Sequence, residues 1–132
     1  MVRLAQIAAA GAGLLPDVLG ANLLVSHYTG KIFSLSYSAP SGGAGNGTLA
    51  VTSSVAGCGS MPAWLQLDSA SGTVYCVDEG SAAWGGSPVV ASFSVANDGS
   101  LKLAGSTKSS GGDVHAWLYG GSDGKGFLAT SQ

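Results

Sequence analysis

Two similar stretches of the sequence decide the fold: residues 61–72 read MPAWLQLDSASG and residues 113–124 read DVHAWLYGGSDG. Both contain Ala-Trp-Leu, then a polar turn, then a glycine. A strand-like run follows each turn, TVYCV at residues 73–77 and GFLAT at residues 126–130. A unit that recurs in this way is the sequence signature of a repeat architecture. The shared position of Trp64 and Trp117 predicts that both rings pack between neighbouring repeats.

A second pair of segments supports the same period. GTLAV at residues 47–51 resembles GSLKL at residues 99–103, and both pairs are offset by about 52 residues, close to the ~40–50 of a β-propeller blade. Turns rich in Gly, Pro and Asn divide the repeat into four predicted strands. These strands are residues 63–68, 73–78, 89–95 and 100–106. Four short antiparallel strands per repeat predict a propeller blade.

The predicted strands begin and end out of phase with the repeat. Three of them (residues 22–28, 31–37 and 48–55) precede the complete blade, and two (residues 115–119 and 126–130) follow it. The sequence therefore predicts an all-β, partial β-propeller of about two blades of four antiparallel strands, open and too short to close. We expect a fragment, from a truncated gene model or a splice product, whose open blade faces favour self-association. The alternative is a self-contained β-sandwich of about nine strands.

Composition excludes several classes of partner. Charged residues make up 9% of the chain and its net charge is −2, whereas nucleic-acid binding needs a basic stripe that releases phosphate counterions. The apolar run near the N-terminus is shorter than the ~20 residues that span a membrane. We therefore predict neither a nucleic-acid partner nor a membrane partner.

The first 21 residues differ from the rest. Arg3 precedes an apolar run over residues 4–15, Pro16 ends it, and a small residue, Ala21, follows. This pattern predicts a signal peptide over residues 1–21, cleaved near Ala21, and a secreted protein; a buried N-terminal helix is the alternative.

The two cysteines of the chain are Cys58 and Cys76. In an oxidising compartment the default for such a pair is a disulfide, and two buried free thiols are the alternative. No Cys-x-x-Cys occurs, and His27 and His115 stand alone in the sequence, so no metal site is predicted.

Two segments carry a resemblance to a known family. Residues 61–68 (MPAWLQLD) and 72–79 (GTVYCVDE) resemble the first blade of the lactonase family, which includes propeller-type 6-phosphogluconolactonase and fungal carboxy-cis,cis-muconate cyclase. LVSHYTG at residues 24–30 resembles the family's opening strand, and His115 stands where the family has a Pro-Cys-His or Pro-x-His element. Asp78 departs from the usual Asn of that pattern. The resemblance covers residues 22–130.

The resemblance implies a seven-bladed propeller without a cofactor that acts on a small-molecule lactone. The expected reaction is the hydrolysis of a sugar lactone, such as a 6-phosphogluconolactone-like compound, or the lactonising isomerisation of a carboxymuconate. Glu79 matches the acidic position of the family's motif and is the first catalytic candidate. His115 and His27 are the other two, as bases or substrate ligands.

Each of these candidates also has a structural alternative. Glu79 could be a solvated acid at a loop, and either histidine could be a hydrogen-bonded structural residue. Trp84, in the loop of residues 80–87, could mark a binding site or anchor that loop.

Cationic residues for an anionic substrate are scarce. Outside the predicted signal peptide the chain has only four lysines, which are scattered, although phosphate and carboxylate sites rely on Arg or Lys. We therefore expect the anion-binding residues in missing blades and an inactive chain on its own. The alternative function is a secreted, non-catalytic propeller that recognises a carbohydrate or a protein.

Overall fold

The computed structural model describes residues 5–6, 20–40, 45–80, 86–120 and 126–132. These residues form β-strands joined by turns, and no helix in this part of the chain is long and apolar enough to cross a membrane. The strands are β1 (Ala5–Gln6), β2 (Gly20–His27), β3 (Lys31–Ser38), β4 (Thr48–Ala56), β5 (Pro62–Asp68), β6 (Thr73–Asp78), β7 (Val89–Val95), β8 (Leu101–Lys108), β9 (His115–Gly120) and β10 (Gly126–Ser131).

The strands form three antiparallel sheets that follow the chain order. The first sheet is β1-β2-β3-β4, the middle sheet is β5-β6-β7-β8, and the third is the hairpin β9-β10. Each sheet is an up-and-down meander, as in a propeller blade. The middle sheet contacts both of the others, through β2 and β4 on one side and β9 on the other. The predicted open, partial propeller is confirmed, because the described strands do not close into a ring.

The strand predictions hold closely where the alternation of apolar and polar residues is clear. β6 and β7 coincide with the predicted residues 73–78 and 89–95. The first sheet differs, because it has four strands where the sequence predicted three. Its additional strand is β1, in which Ala5 pairs with Leu24 and Gln6 pairs with Leu23. A two-residue strand shows no alternation, so the sequence could not indicate it.

β1 lies within the segment that the sequence predicts to be a signal peptide. The predicted cleavage residue, Ala21, lies in β2 and pairs with Tyr37 of β3. Cleavage at this point would remove β1 and the first residues of β2. The signal peptide remains a prediction.

The core lies between the first sheet and the middle sheet. Its buried members are Leu24, Ile32, Cys58, Val74, Cys76, Ala91 and Phe93. These side chains come from the alternating positions of strands that face each other, which is how a half-buried strand supplies a core. Burial of such side chains provides most of the stability of a propeller, since each blade is stabilised by its neighbours.

A disulfide joins Cys58 and Cys76 within this core. Their Cα atoms are 5.9 Å apart, and no free cysteine remains. The predicted pairing is therefore confirmed. The bond ties the connection after the first sheet to the centre of the middle sheet, where both cysteines are fully buried.

The repeated Ala-Trp-Leu motif has two different outcomes. In the middle sheet, the Trp64 ring packs across the sheet boundary against His115, with ring centroids 4.3 Å apart, as predicted. In the hairpin, Ala116 is buried but Trp117 is 60% exposed. The prediction that Trp117 packs between repeats is wrong for this structure, because no described sheet covers that face of the hairpin.

The hairpin also covers only part of the middle sheet, since it has two strands against four. An open groove of about 290 Å³ remains between them. It is lined by Tyr75, Val90, Ala91, Ser92, Gly105, Ser106, Thr107 and Leu128.

Candidate functional site

The candidate residues gather at one end of the stacked sheets. β2 ends at His27 and β6 ends at Asp78, whereas β9 begins at His115. Because neighbouring strands alternate in direction, the end of a second strand and the beginning of a first strand lie at the same edge of a blade. The turn at Gly30 touches the turn at Gly59, where an added Cβ on Gly30 would lie 2.8 Å from the Gly59 carbonyl oxygen.

A buried carboxylate organises this end of the middle sheet. Asp78 is fully buried and accepts hydrogen bonds from the backbone N–H groups of Met61 (2.9 Å), Gly80 (2.9 Å) and Ser60 (3.3 Å). Backbone donors on a carboxylate are charge-assisted and stabilise a buried acid without a cation. Asp78 thereby fixes the start of β5 and the direction in which the chain leaves β6.

Glu79, the next residue, makes hydrogen bonds to the turn after β2, to the residue before β5 and to the connection that leads into β9. Its backbone N–H donates to the carbonyl oxygen of Met61 at 3.0 Å, and its own carbonyl oxygen accepts from Gly112 at 3.3 Å. Its side-chain carboxylate accepts a hydrogen bond from the phenol of Tyr28. The backbone of Glu79 is therefore held in place, while its carboxylate reaches the turn of the first sheet.

The Tyr28 phenol is the group that the sequence reasoning missed. The hydrogen bond to Glu79 raises the pKa of Tyr28 above its ordinary value, and desolvation and the negative charge of Glu79 act in the same direction. The phenol is protonated at neutral pH, and its raised pKa extends the protonated, hydrogen-bond-donating form to higher pH. The available signal was its place in the His-Tyr-Thr-Gly element, directly after His27.

His27 has a local role in the structure. Its Nδ1 accepts from the backbone N–H of Thr29 at 3.2 Å and lies 3.1 Å from the Thr29 hydroxyl. Since Nδ1 accepts a backbone hydrogen bond, the ring proton is assigned to Nε2. The ring also meets Phe33 edge-on, with centroids 6.2 Å apart. His27 therefore shapes the turn that presents Tyr28.

His115 lies at the start of the innermost strand of the hairpin. It is partly buried and packs on Trp64 of the middle sheet. Two residues earlier, Asp113 is buried, and its Oδ2 has no hydrogen-bond partner in the described part of the chain. Among the described residues, the structure joins neither histidine to Glu79 by a hydrogen bond. Of the three predicted catalytic residues, only Glu79 makes a side-chain hydrogen bond to a residue of another sheet within the described part of the chain.

The charged groups around the site are few. Lys31 begins β3 as the cross-strand partner of His27 and therefore lies at the site end. Lys102 and Lys108 lie on β8, the outermost strand of the middle sheet. Lys125 and Trp84 are outside the described residues. In the described ranges, no group of three or more His, Cys, Asp or Glu side chains is arranged to hold a metal ion.

Stacked antiparallel meanders with polar side chains collected at one end define a β-propeller-type protein. The protein-family model described as "Lactonase, 7-bladed beta-propeller" matches residues 22–132 of the chain. The chain belongs to this lactonase family. No match to it was found among curated proteins or among solved structures.

Proposed function

We propose that this chain carries the acid–base part of a site that opens or closes a lactone ring. The observation that carries the proposal is the contact between the Tyr28 phenol and the Glu79 carboxylate at one end of a lactonase-family propeller. A carboxylate that can take up a proton can act as the general base of lactone hydrolysis, and a phenol can donate a hydrogen bond to the oxygen that becomes negative.

In the hydrolytic direction, the Glu79 carboxylate removes a proton from a water molecule as its oxygen bonds to the lactone carbonyl carbon. Tyr28 turns its hydroxyl from Glu79 to the carbonyl oxygen, which gains negative charge. The ring C–O bond then breaks, and the ring oxygen takes the proton from Glu79. The product is a hydroxy acid, and the carboxylate is restored.

Lactonising isomerisation is a different reaction, in which the substrate provides its own nucleophile. A carboxylate of the muconate adds to a carbon–carbon double bond, the C–O bond of the ring forms, and the neighbouring carbon takes a proton. Protonated Glu79 supplies that proton and afterwards takes up another proton from solvent. A sugar lactone and a carboxymuconate are therefore both compatible with this pair.

The site has few cationic side chains that could bind the anionic part of such a substrate. Lys31 is the exposed cation that its cross-strand pairing with His27 brings to this end, and we assign it to the substrate's phosphate or carboxylate. A single exposed lysine binds an anion weakly. We therefore propose that the chain alone is nearly inactive.

The test is an assay of lactone opening with glucono-δ-lactone and its 6-phosphate, at high protein concentration. We expect slow turnover that falls at least tenfold in Glu79→Gln and in Tyr28→Phe. Asp98→Asn, which changes an acid exposed in a turn far along the chain, is the matched control and keeps the rate. An opening rate above that of buffer that is the same in the natural chain, in Glu79→Gln and in Tyr28→Phe would contradict the proposal.

The second candidate function is a secreted, non-catalytic propeller that binds a carbohydrate or a protein. It is supported by the Cys58–Cys76 disulfide, because disulfides persist in oxidising compartments, whereas sugar lactone metabolism is expected in the cytosol. Glycan-array binding without lactone turnover would favour it. N-terminal sequencing of secreted protein would test the proposed cleavage near Ala21.

A further inference from the structure

One motif of the sequence lies outside the candidate site. Residues 46–48 read Asn-Gly-Thr, which fits the Asn-x-Ser/Thr pattern of an N-glycosylation acceptor with a residue other than proline in the middle. The other two asparagines of the chain, Asn22 and Asn97, have no Ser or Thr two residues later. Because a three-residue pattern also arises by chance, its structural context decides whether it can serve as an acceptor.

The motif lies on the surface of the first sheet. Asn46 and Gly47 end the connection from β3, and Thr48 is the first residue of β4. All three residues are exposed, as are Gly45 before them and Leu49 after them. Glycans on this motif are bulky surface groups of secreted proteins. The exposure of the whole motif therefore meets the structural requirement for an acceptor.

Two glycines surround the acceptor asparagine. Gly45 has a φ of +110°, a conformation that favours glycine. An added Cβ on Gly47 would lie 2.5 Å from Cε2 of Tyr37 and 2.7 Å from the carbonyl oxygen of Ser38. The middle of the motif is therefore held closely against β3, while the preceding Asn46 remains exposed. The two neighbours of Asn46 in the chain have no side chain that could obstruct a modifying enzyme.

The motif lies at the far end of the first sheet from the candidate site. β3 begins at Lys31, beside the candidate site, and ends at Ser38, which is the cross-strand partner of Thr48. The eight residues of β3 separate these two ends by about 23 Å, at a rise of ~3.3 Å per residue. A glycan on Asn46 therefore leaves the candidate site open.

We propose that Asn46 is an N-glycosylation site of this protein. The inference rests on the proposed secretion of the chain, which the buried disulfide between Cys58 and Cys76 supports, and not on the lactone chemistry. Nδ2 of Asn46 forms a bond to the anomeric carbon of an oligosaccharide that is carried on a lipid diphosphate. The bond from that carbon to the diphosphate oxygen breaks, the lipid diphosphate leaves, and the amide nitrogen loses one proton.

Expression of the 132-residue chain in eukaryotic cells tests the proposal, once with its own N-terminus and once with a signal peptide of the host placed before Met1. We expect the chain secreted behind the host's signal peptide to gain mass. Peptide N-glycosidase F removes this gain and leaves a carboxylate at position 46, which peptide mass spectrometry detects.

Four variants show whether the gain in mass depends on the motif. Asn46→Gln and Thr48→Val lose it, because each removes one of the two required side chains. Thr48→Ser keeps it, because serine also completes the motif and the substitution shortens the same side chain. Asn97→Gln, which changes the exposed asparagine of another turn, is the matched control and also keeps it.

The two expression formats separate this inference from the proposed secretion. A chain secreted behind the host's signal peptide without a glycan on Asn46 would overturn the inference. A glycan that appears only behind the host's signal peptide would support the acceptor site and contradict the secretion predicted from residues 1–21. The titration of Tyr28 should be the same before and after removal of the glycan, and a shifted titration would contradict the place of the glycan at the far end of the sheet.

Discussion

The phenol of Tyr28 donates a hydrogen bond to the carboxylate of Glu79, although 51 residues separate them in the chain. Tyr28 belongs to the turn after β2, and Glu79 directly follows β6. The contact therefore depends on the stacking of two sheets and on the Asp78 hydrogen bonds that direct the chain out of β6. An acid and a donor meet in this protein only as a result of blade packing.

The titration of Tyr28 should report this contact. The hydrogen bond to Glu79 raises the pKa of the phenol above its ordinary value near 10. Glu79→Gln should lower the pKa of Tyr28 towards that value, because a neutral amide accepts more weakly and carries no charge. Ultraviolet absorbance of tyrosinate, compared with that of Tyr28→Phe to assign the signal, measures the change.

The same shift has a consequence for stability. Because the folded pKa of Tyr28 is raised, the contribution of the bond is fully present below pH ~10 and is lost as the pH rises through the raised value. The difference in unfolding midpoint between the natural chain and Tyr28→Phe should therefore shrink at strongly alkaline pH. A difference that grows with pH would contradict the assignment.

Two glycines with similar backbone angles test the role of Asp78. Gly59 and Gly72 have φ values of +67° and +64°. An added Cβ would meet the Asp78 carboxylate at Gly59 and nothing within 4 Å at Gly72. Gly72→Ala should cost about 1–2 kcal/mol for the left-handed backbone. Gly59→Ala should cost roughly 2–3 kcal/mol more, because displacement of the carboxylate breaks charge-assisted hydrogen bonds. Urea unfolding of both variants provides the comparison, and equal costs would contradict this role.

The disulfide should contribute strongly to stability. Cys58 and Cys76 are 18 residues apart and fully buried. Replacing both with alanine should lower the free energy of unfolding by about 3 kcal/mol from loop closure alone. Urea unfolding measures this loss. Gly72→Ala, for which we expect a loss of only about 1–2 kcal/mol, is the variant for comparison. An unchanged midpoint would show that the bond does not constrain the unfolded chain.

The two histidines should differ in their structural importance. His115→Ala should cost about 0.5–1.5 kcal/mol, because it removes the ring that packs on Trp64. His27→Ala should cost less than His115→Ala, because the His27 side chain is exposed, its hydrogen bonds lie within its own turn, and its ring is 6.2 Å from that of Phe33, whereas the His115 ring is 4.3 Å from that of Trp64. His115→Phe should restore most of the loss. If lactone turnover nevertheless falls in His115→Phe, His115 also acts on the substrate.

Much of the fold could be predicted because it depends on local pattern. The alternation in β6 and β7, and the turns between them, indicate each strand without knowledge of its neighbours. The site could be predicted only in part. Glu79 was predicted as a candidate through its motif, but its hydrogen-bond partner Tyr28 was not, because no local pattern relates a turn in one sheet to an acid in the next.

The sequence by itself determined every described strand except β1, their order and the repeat, since these follow from alternation and turn chemistry along the chain. It also indicated the cysteine pair. Only the tertiary structure decided that Trp64 is covered and Trp117 is exposed, although both occupy one repeat position. The physical reason is that burial depends on the presence of a neighbouring sheet, which the residue itself does not encode. The pairing of Tyr28 with Glu79 has the same origin, because it arises from the stacking of one sheet on another.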